Sequence, residues 1–591
     1  MTAVAIFFLL LNLGRISERY RQTQPGHEQD NCQPHRVPSL PQYKTKRLVL
    51  FVRVHLSSEY PSSVSDSADF SDWKPAANPW LISVVVALAA FMEVLDTSIA
   101  NVALPHIAGG TGASTSESTW VLTAYLVANA IVLPITGWIS SAIGRKRFFL
   151  ICITIFTVCS LLCGIAPNLP FLLVARALQG AGGGGMQPMA QAIMADSFPP
   201  EKRGMAFALF GVTAVVAPAL GPTLGGWITD NFSWRWIFLI NLPVGILAFS
   251  LISRLVEDPP FLRRFKKGKM HFDGVGFGLL VLGVGALQVL LDKGQEDDWL
   301  SSRFICTLAV LAVVGLVGLV LWEWNHDHPI VDVKLFRIFS FSSAAIMMFM
   351  AGVVAFSSGI LMPQFLQIMS GYTAVTAGMV VSAGAAIVLM TLPISGLLVM
   401  KVPIKYIMAA AWLLCAVTQY LSAKILTQNL SFGWACVMMI IENSPIGFIF
   451  LSAVTASYFG VPQDRTDAVS GLSNFMRNIG SSVGTSIIQT ILARRMQFHM
   501  ARIGEHAAPS DPRLLYVLEK NIVAMTSTGM PMGTAMSAAV GRAYQQLVMQ
   551  AMTLSYIDVY ALLSFAAIAM CGLSFLLRKN DPHNTEMHTG H

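Results

Sequence analysis

The sequence predicts an all-α polytopic membrane protein, on three observations. Of its 591 residues 54% are hydrophobic and only 12% charged, about half the charged share of an ordinary soluble domain, and the mean hydropathy is +0.60. From Trp80 onward about fourteen apolar runs succeed one another, each ~20 residues long, enough to cross ~30 Å of hydrocarbon. Basic residues gather in alternate loops between those runs, as the positive-inside rule requires.

Residues 1–79 precede the first span. The polar, Pro- and Ser-rich Gln22–Lys74 stretch predicts a disordered N-terminal extension. The expected spans then cover 80–103, 118–141, 148–167, 171–195, 204–228, 234–254, 273–292, 303–325, 338–368, 373–400, 404–424, 431–459, 468–492 and 556–577. The loops Gly144–Arg147, Glu201–Arg203, Arg263–Lys269 and Lys401–Lys405 are basic and follow even-numbered spans, whereas Ala166–Pro170 and Asp292–Trp299 are neutral or acidic. Both termini are therefore expected in the cytoplasm, the last as a tail at 578–591. One odd-numbered connection, at about 493–555, is long, carries an amphipathic-looking stretch at Thr534–Met552, and is expected outside, lying on or near the membrane or re-entering it.

The net charge of +7 does not call for nucleic acid, because the basic residues sit in these short loops. Seven of the eight cysteines fall in apolar runs without metal-ligand spacing, so they read as small buried hydrophobes. No cofactor or metal is expected. Nor is an enzyme, since no nucleophile–base pair or soluble catalytic segment is visible. A passive channel is disfavoured by the lack of a charged ring or filter-like loop.

Chemistry concentrates in span one, where Glu93 and Asp96 lie in WLISVVVALAAFMEVLDTSIANVALP (80–105). A carboxylate inside a bilayer costs several kcal/mol and marks a functional site by default. Their i, i+3 spacing puts both on one helix face, which must look into a bundle interior. Arg176 lies a turn inside span four, in LVARALQGAGGGG, and needs a carboxylate, carbonyls or water; the glycines there mean close packing or a bend, since no strand precedes them to make a dinucleotide loop.

Two further stretches suggest moving parts. The turn after span two, GWISSAIGRK, combines Gly137 and Gly144 with Arg145 and Lys146 at the interface. Span five carries APALGPTLGG, where Pro218 and Pro222 remove backbone donors while Gly221, Gly225 and Gly226 leave a groove for a partner helix. In the second half Glu442 is expected to face a cavity or to hydrogen-bond structurally, and Arg477 and Asp558 to be interfacial or paired. Met362 and Phe365, within a Met- and Phe-rich region, are candidates to line a pocket that accepts many apolar shapes.

Taken in order, MEVLDTSIANVALP at 92–105, GWISSAIGRK, RALQG at 176–180, APALGPTLGGWITDNFSWRWIF at 217–238, LDKGQEDDW at 291–299, NFMRNIGSSVGTSI at 474–487 and YIDVY at 556–560 make residues 80–580 resemble the fourteen-helix drug:proton antiporters of the major facilitator superfamily, most closely the EmrB type. The resemblance implies two six-helix bundles, at 80–254 and 338–577, with two additional helices inserted at 255–337. It implies proton-coupled multidrug efflux of lipophilic or cationic small molecules across the cytoplasmic (inner) membrane by alternating access. A dedicated exporter of one metabolite, such as a siderophore or antibiotic, is the alternative. It also implies proton coupling at Asp96 and proton transfer at Arg176, an antiporter motif on span five, and a periplasmic adaptor and outer-membrane channel as partners; Glu93, on the same helix face, is expected to help Asp96. Two departures stand out. Ser141 and Ala142 occupy turn positions where the superfamily usually has an Asp and a basic residue, and Ala208 and Ala217 replace the first two glycines of the antiporter motif.

Overall fold

Helix α1 (Pro79–Thr111) begins where Asn78 caps the Trp80 amide at 2.9 Å and Pro79 takes a position whose N–H would be orphaned anyway. It ends at Gly112, whose φ of 67° suits glycine. α2 (Thr115–Ile143) starts with a reciprocal capping box between Ser114 and Glu117. Gly144, at φ 93°, turns the chain directly into α3 (Arg145–Gly164). In the computed structural model the described residues are 75–259, 272–461, 465–505 and 511–577. The expected N-terminal extension up to residue 74, the Arg263–Lys269 loop and the tail at 578–591 lie outside them.

The first bundle continues with α4 (Leu169–Gly183), α5 (Met186–Ser197), α6 (Pro200–Asn231), the single turn α7 (Trp236–Leu239) and α8 (Asn241–Leu255). The inserted pair is α9 (Gly274–Lys293) and α10 (Arg303–Asn325). The second bundle comprises α11 (Phe339–Met369), α12 (Ala374–Val399), α13 (Ile404–Ile425), α14 (Phe432–Asn443), α15 (Ile446–Ser457), α16 (Thr466–Glu505), α17 (Pro512–Thr526) and α18 (Met532–Ser574).

Among the described residues twelve segments are long and apolar enough to cross a membrane. The other two expected spans fail that test for physical reasons. Span four breaks at Gly184–Gly185 into α4 and α5. Span thirteen, α16, carries Asn474, Arg477, Asn478 and several serines, and is too polar to read as lipid-facing. α5 and the polar face of α16 are buried, whereas α4 keeps one apolar face exposed at Phe171, Val174 and Leu178.

The bundles meet along two seams, α2 against α16 and α6 against α12. α9 and α10 pack backbone to backbone where Gly283 meets Gly315; a Cβ on Gly315 would lie 2.5 Å from the Gly283 Cα. α9 in turn lies along both α2 and α16. At its far end Asp292 and Lys293 hold Thr123 and Thr119 of α2, and Trp299 Nε1 donates to Thr490 Oγ1 of α16 at 3.0 Å. The inserted pair is thus a strap across the first seam.

The stretch at 493–555, expected as a loop, is mostly helix. α16 has 40 residues and α18 has 43, about 60 Å each at ~1.5 Å per residue, twice the hydrocarbon thickness. Their outer parts, with α17, form an extension whose Ala535, Ala539 and Ala543 are buried while Met532, Met536, Val540 and Tyr544 are exposed.

Candidate functional site

Asp96 and Glu93 share a face of α1, as their spacing demands, yet they belong to different networks. Asp96 is 2% exposed and Arg176 fully buried. Arg176 Nη1 donates to Asp96 Oδ2 at 2.5 Å, and the other carboxylate oxygen accepts from Gln179 Nε2 at 3.0 Å and Asn241 Nδ2 at 2.7 Å. Arg176 also donates to the Val121 carbonyl at 3.2 Å and Gln179 Oε1 at 2.8 Å, and its guanidinium stacks on the Tyr125 ring at 4.4 Å. Every contact here lies within the first bundle. Both oxygens of Asp96 are taken up, and of the guanidinium only Nη2 is buried without a described partner, so the two charges answer each other inside one bundle.

Glu93 is built differently. It is 4% exposed and accepts from Tyr125 Oη at 3.2 Å, Asn129 Nδ2 at 3.1 Å and Gln187 Nε2. Two of these partners reach across the seam. Gln187 Oε1 accepts from Arg477 Nη2, and Asn129 Oδ1 accepts from Asn478 Nδ2 at 3.2 Å, both on α16. A carboxylate in one bundle is therefore one amide away from a guanidinium in the other. Tyr125 joins the two acids, its hydroxyl on Glu93 and its ring under Arg176.

The glycines after Arg176 make this approach possible. A Cβ at Gly180 would meet the Tyr125 carbonyl oxygen at 2.3 Å, and one at Gly184 the Asn129 carbonyl oxygen at 2.7 Å. Close packing against α2 and the break into α5 place Gln187 over Glu93.

At the Gly144 end of the same seam Arg145, 1% exposed, ion-pairs with Asp196 at the end of α5 and, at 2.6 Å, with Asp467 at the start of α16. Ser140 Oγ donates to the other oxygen of Asp467 at 2.6 Å. Gly137 lets α16 close in, because a Cβ there would lie 2.9 Å from the Ala468 Cα. The acid absent at Ser141 is thus supplied from the second bundle; Ser141 itself donates back to the Gly137 carbonyl. Lys146 is held through its backbone amide by Asp258 at 2.8 Å.

α6 forms the first bundle's side of the second seam. Pro222 has no N–H to offer the Pro218 carbonyl, and Ser98 of α1 donates to that oxygen at 3.2 Å. Gly221 and Gly225 admit α1: a Cβ at Gly221 would stand 2.1 Å from Ser98 Oγ, and one at Gly225 3.2 Å from the Ile99 carbonyl oxygen. Gly226 faces Val375 of α12, and Ser382 of α12 donates to the Ala219 carbonyl at 3.1 Å.

Beside Arg477 lies a cavity of about 80 Å³ walled by α6, α11, α12, α13 and α15, whose lining is apolar except for that guanidinium. Ala351, Phe356, Trp412 and Phe450 are among its walls. Arg477 forms no ion pair with a described residue; it stands between Gln187, the Phe450 ring and this cavity. Met362 and Phe365 do not line it. Both are fully buried, Phe365 packing edge-on against Tyr556 at 5.1 Å. Asp558 is paired, accepting from Arg495 at 2.6 Å and lying 2.7 Å from His499 Nε2. Glu442 is 1% exposed in the second bundle.

Sequence comparison fits this architecture. Residues 86–485 match the Major Facilitator Superfamily family model. The chain belongs to that superfamily. Within it the chain is 39% identical over 432 residues to the multidrug export protein EmrB of Haemophilus influenzae, covering 73% of this chain and 84% of the relative. It is 35% identical over 493 residues to that of Escherichia coli K12, covering 83% and 94%. The fatty acid resistance protein FarB of Neisseria gonorrhoeae is 37% identical over 446 residues, covering 76% and 87%. The crystal structure of the human organic anion transporter MFSD10 matches at a TM-score of 0.50 and 14% identity, over 83% of this chain and 99% of the other, a likeness of fold. The chain is an EmrB-type major facilitator transporter, a multi-pass protein of the inner membrane.

Proposed function

We propose that this chain is a proton-coupled multidrug efflux transporter, exchanging protons for amphipathic, lipophilic or cationic small molecules. The observation that carries the coupling is the Glu93–Gln187–Arg477 link between the bundles. The Gly144 end, with Arg145, Lys146, Arg147, Lys202, Arg203, Lys401 and Lys405 on or near it, is taken as cytoplasmic, and both termini with it. Ionised, Glu93 draws α16 onto the first bundle through Gln187 and Asn129, which keeps the cytoplasmic half of the seam shut with the help of Arg145 and Asp467. A proton arriving from outside removes the charge behind those hydrogen bonds, weakens them and frees the bundles to rock inward. Release of the proton to the cytoplasm, with substrate bound in the apolar cavity, resets the link.

This reading moves the proton from Asp96, where the sequence resemblance placed it, to Glu93. Asp96 and Arg176 become the fixed pair that positions Tyr125 beneath Glu93. Export of lipophilic molecules is supported by the names of the relatives, one a multidrug exporter and one a fatty acid resistance protein. We assign the outer extension of α16–α18, with its exposed stripe of Met532, Met536, Val540 and Tyr544, to contact with a periplasmic adaptor leading to an outer-membrane channel. The test is ethidium accumulation in cells with and without the protein. The protein should lower accumulation and an uncoupler should restore it; lowering that survives the uncoupler would exclude proton coupling.

A further inference from the structure

The exchange described above uses one acid, and the second bundle holds another. Glu442 lies in the last turn of α14, directly before the break at 444–445 that separates it from α15. Neither of its oxygens makes a close, well-aligned hydrogen bond, and the donors that reach it are the neutral side chains of Ser358 and Gln419. The groups around it are Ser358 of α11, Gln419 and Cys415 of α13 and Tyr560 of α18. Gln419 gives its amide to Ser358 at 2.8 Å, while its carbonyl oxygen and the hydroxyls of Tyr556 and Tyr560 are buried without a described partner.

Among the described residues no cation pairs with Glu442. The neighbouring helices α11, α12 and α15 contain no titratable side chain at all. The lysines of α13 lie at its two ends, with Lys405 over the Tyr406 ring and Lys424 over the Tyr420 ring. On α18, Asp558 is bound to Arg495 and His499 of α16. A buried carboxylate with two neutral donors and no counter-charge is better accommodated with a proton than without one.

The break beside it borders the apolar cavity. Ile446 and Gly447, just past the break, line that cavity, as does Trp412, one turn before Cys415 on α13. Gly447 packs on Thr391 and Leu392 of α12, where a Cβ would meet Thr391 Oγ1 at 2.4 Å, so movement of α12 at the second seam bears directly on the break.

We infer that Glu442 is a second proton-binding site, loaded in this conformation and emptied into the cavity when the α14–α15 break moves. The inference rests on the antiport reading for its place in the cycle; the proton on Glu442 does not.

Two measurements on the purified full chain in liposomes test it. Infrared difference spectra at neutral pH between wild type and Glu442→Gln should show loss of a protonated-carboxyl C=O band; no loss overturns the assignment. Tyr560→Phe, which keeps the ring and deletes a facing hydroxyl, should shift that band in an otherwise intact protein, and an unmoved band counts against it. Ethidium accumulation should then be measured against an imposed pH difference with the membrane potential clamped at zero. Losing one exchanged proton should cut limiting accumulation about tenfold per pH unit in Glu442→Gln; equal accumulation in the two proteins overturns the second-site role. Wild-type accumulation indifferent to the pH difference, with the band present, would sink antiport and leave the proton on Glu442 standing.

Discussion

Asp96→Asn separates a structural ion pair from a proton carrier. An asparagine can keep its carbonyl oxygen where Gln179 and Asn241 donate, but its amide then faces Arg176 Nη1 across the 2.5 Å that Asp96 Oδ2 now spans. Donor meets donor, and a fully buried guanidinium loses its counter-charge. Breaking one side of a buried pair costs about 3–5 kcal/mol, enough to lower the unfolding midpoint of the detergent-solubilised protein clearly. Adding Arg176→Gln removes the stranded charge, so the double variant should regain most of that loss and recover ethidium efflux, although each single variant is impaired. A single Asp96→Asn variant of wild-type stability with no proton-driven efflux, unrescued by Arg176→Gln, would refute the reasoning and return the proton to Asp96.

Two other sites give independent checks. Gly221→Ala should push α6 off α1, because its Cβ would fall 2.1 Å from Ser98 Oγ; overpacking of this kind costs about 1–3 kcal/mol, and Ser98→Gly in the same chain should restore dye efflux. Asp467→Asn removes the ion pair that ties Arg145 to the second bundle, so the Gly144 end should open more often, read as faster labelling of a cysteine placed at Ala468; unchanged labelling would show that closure does not depend on that charge.

The membrane architecture was legible because burial in lipid demands runs of apolar residues, and the start signals at Asn78–Pro79 and Ser114–Glu117 sit where the helices begin. The acids of α1 were legible for the opposite reason, as costs that nothing local explains. Their partners were not. Gln179, Gln187, Asn129, Tyr125 and Asn241 are uncharged and raise no alarm in a span, and only the packing decides which acid each one meets. Asp467 lies just outside the expected span thirteen and carries no local sign of its role; only the fold brings it to a buried Arg145. Of the helices at 493–555 only the amphipathic-looking Thr534–Met552 stretch was legible, because helix that leaves the bilayer no longer shows as an unbroken apolar run. The alanines at 535, 539 and 543 carried the helical pattern there.

Whether a proton on Glu93 governs the grip of α16 on the first bundle is tested most directly by spin-label distances across the Gly144 end, between the exposed positions Arg147 and Lys401. The ionised acid holds the seam shut, so the distance should lengthen as pH falls, and Glu93→Gln, which cannot carry the charge, should give the long distance at every pH. A Glu93→Gln protein that keeps the short distance and the pH response of the wild type would contradict the account.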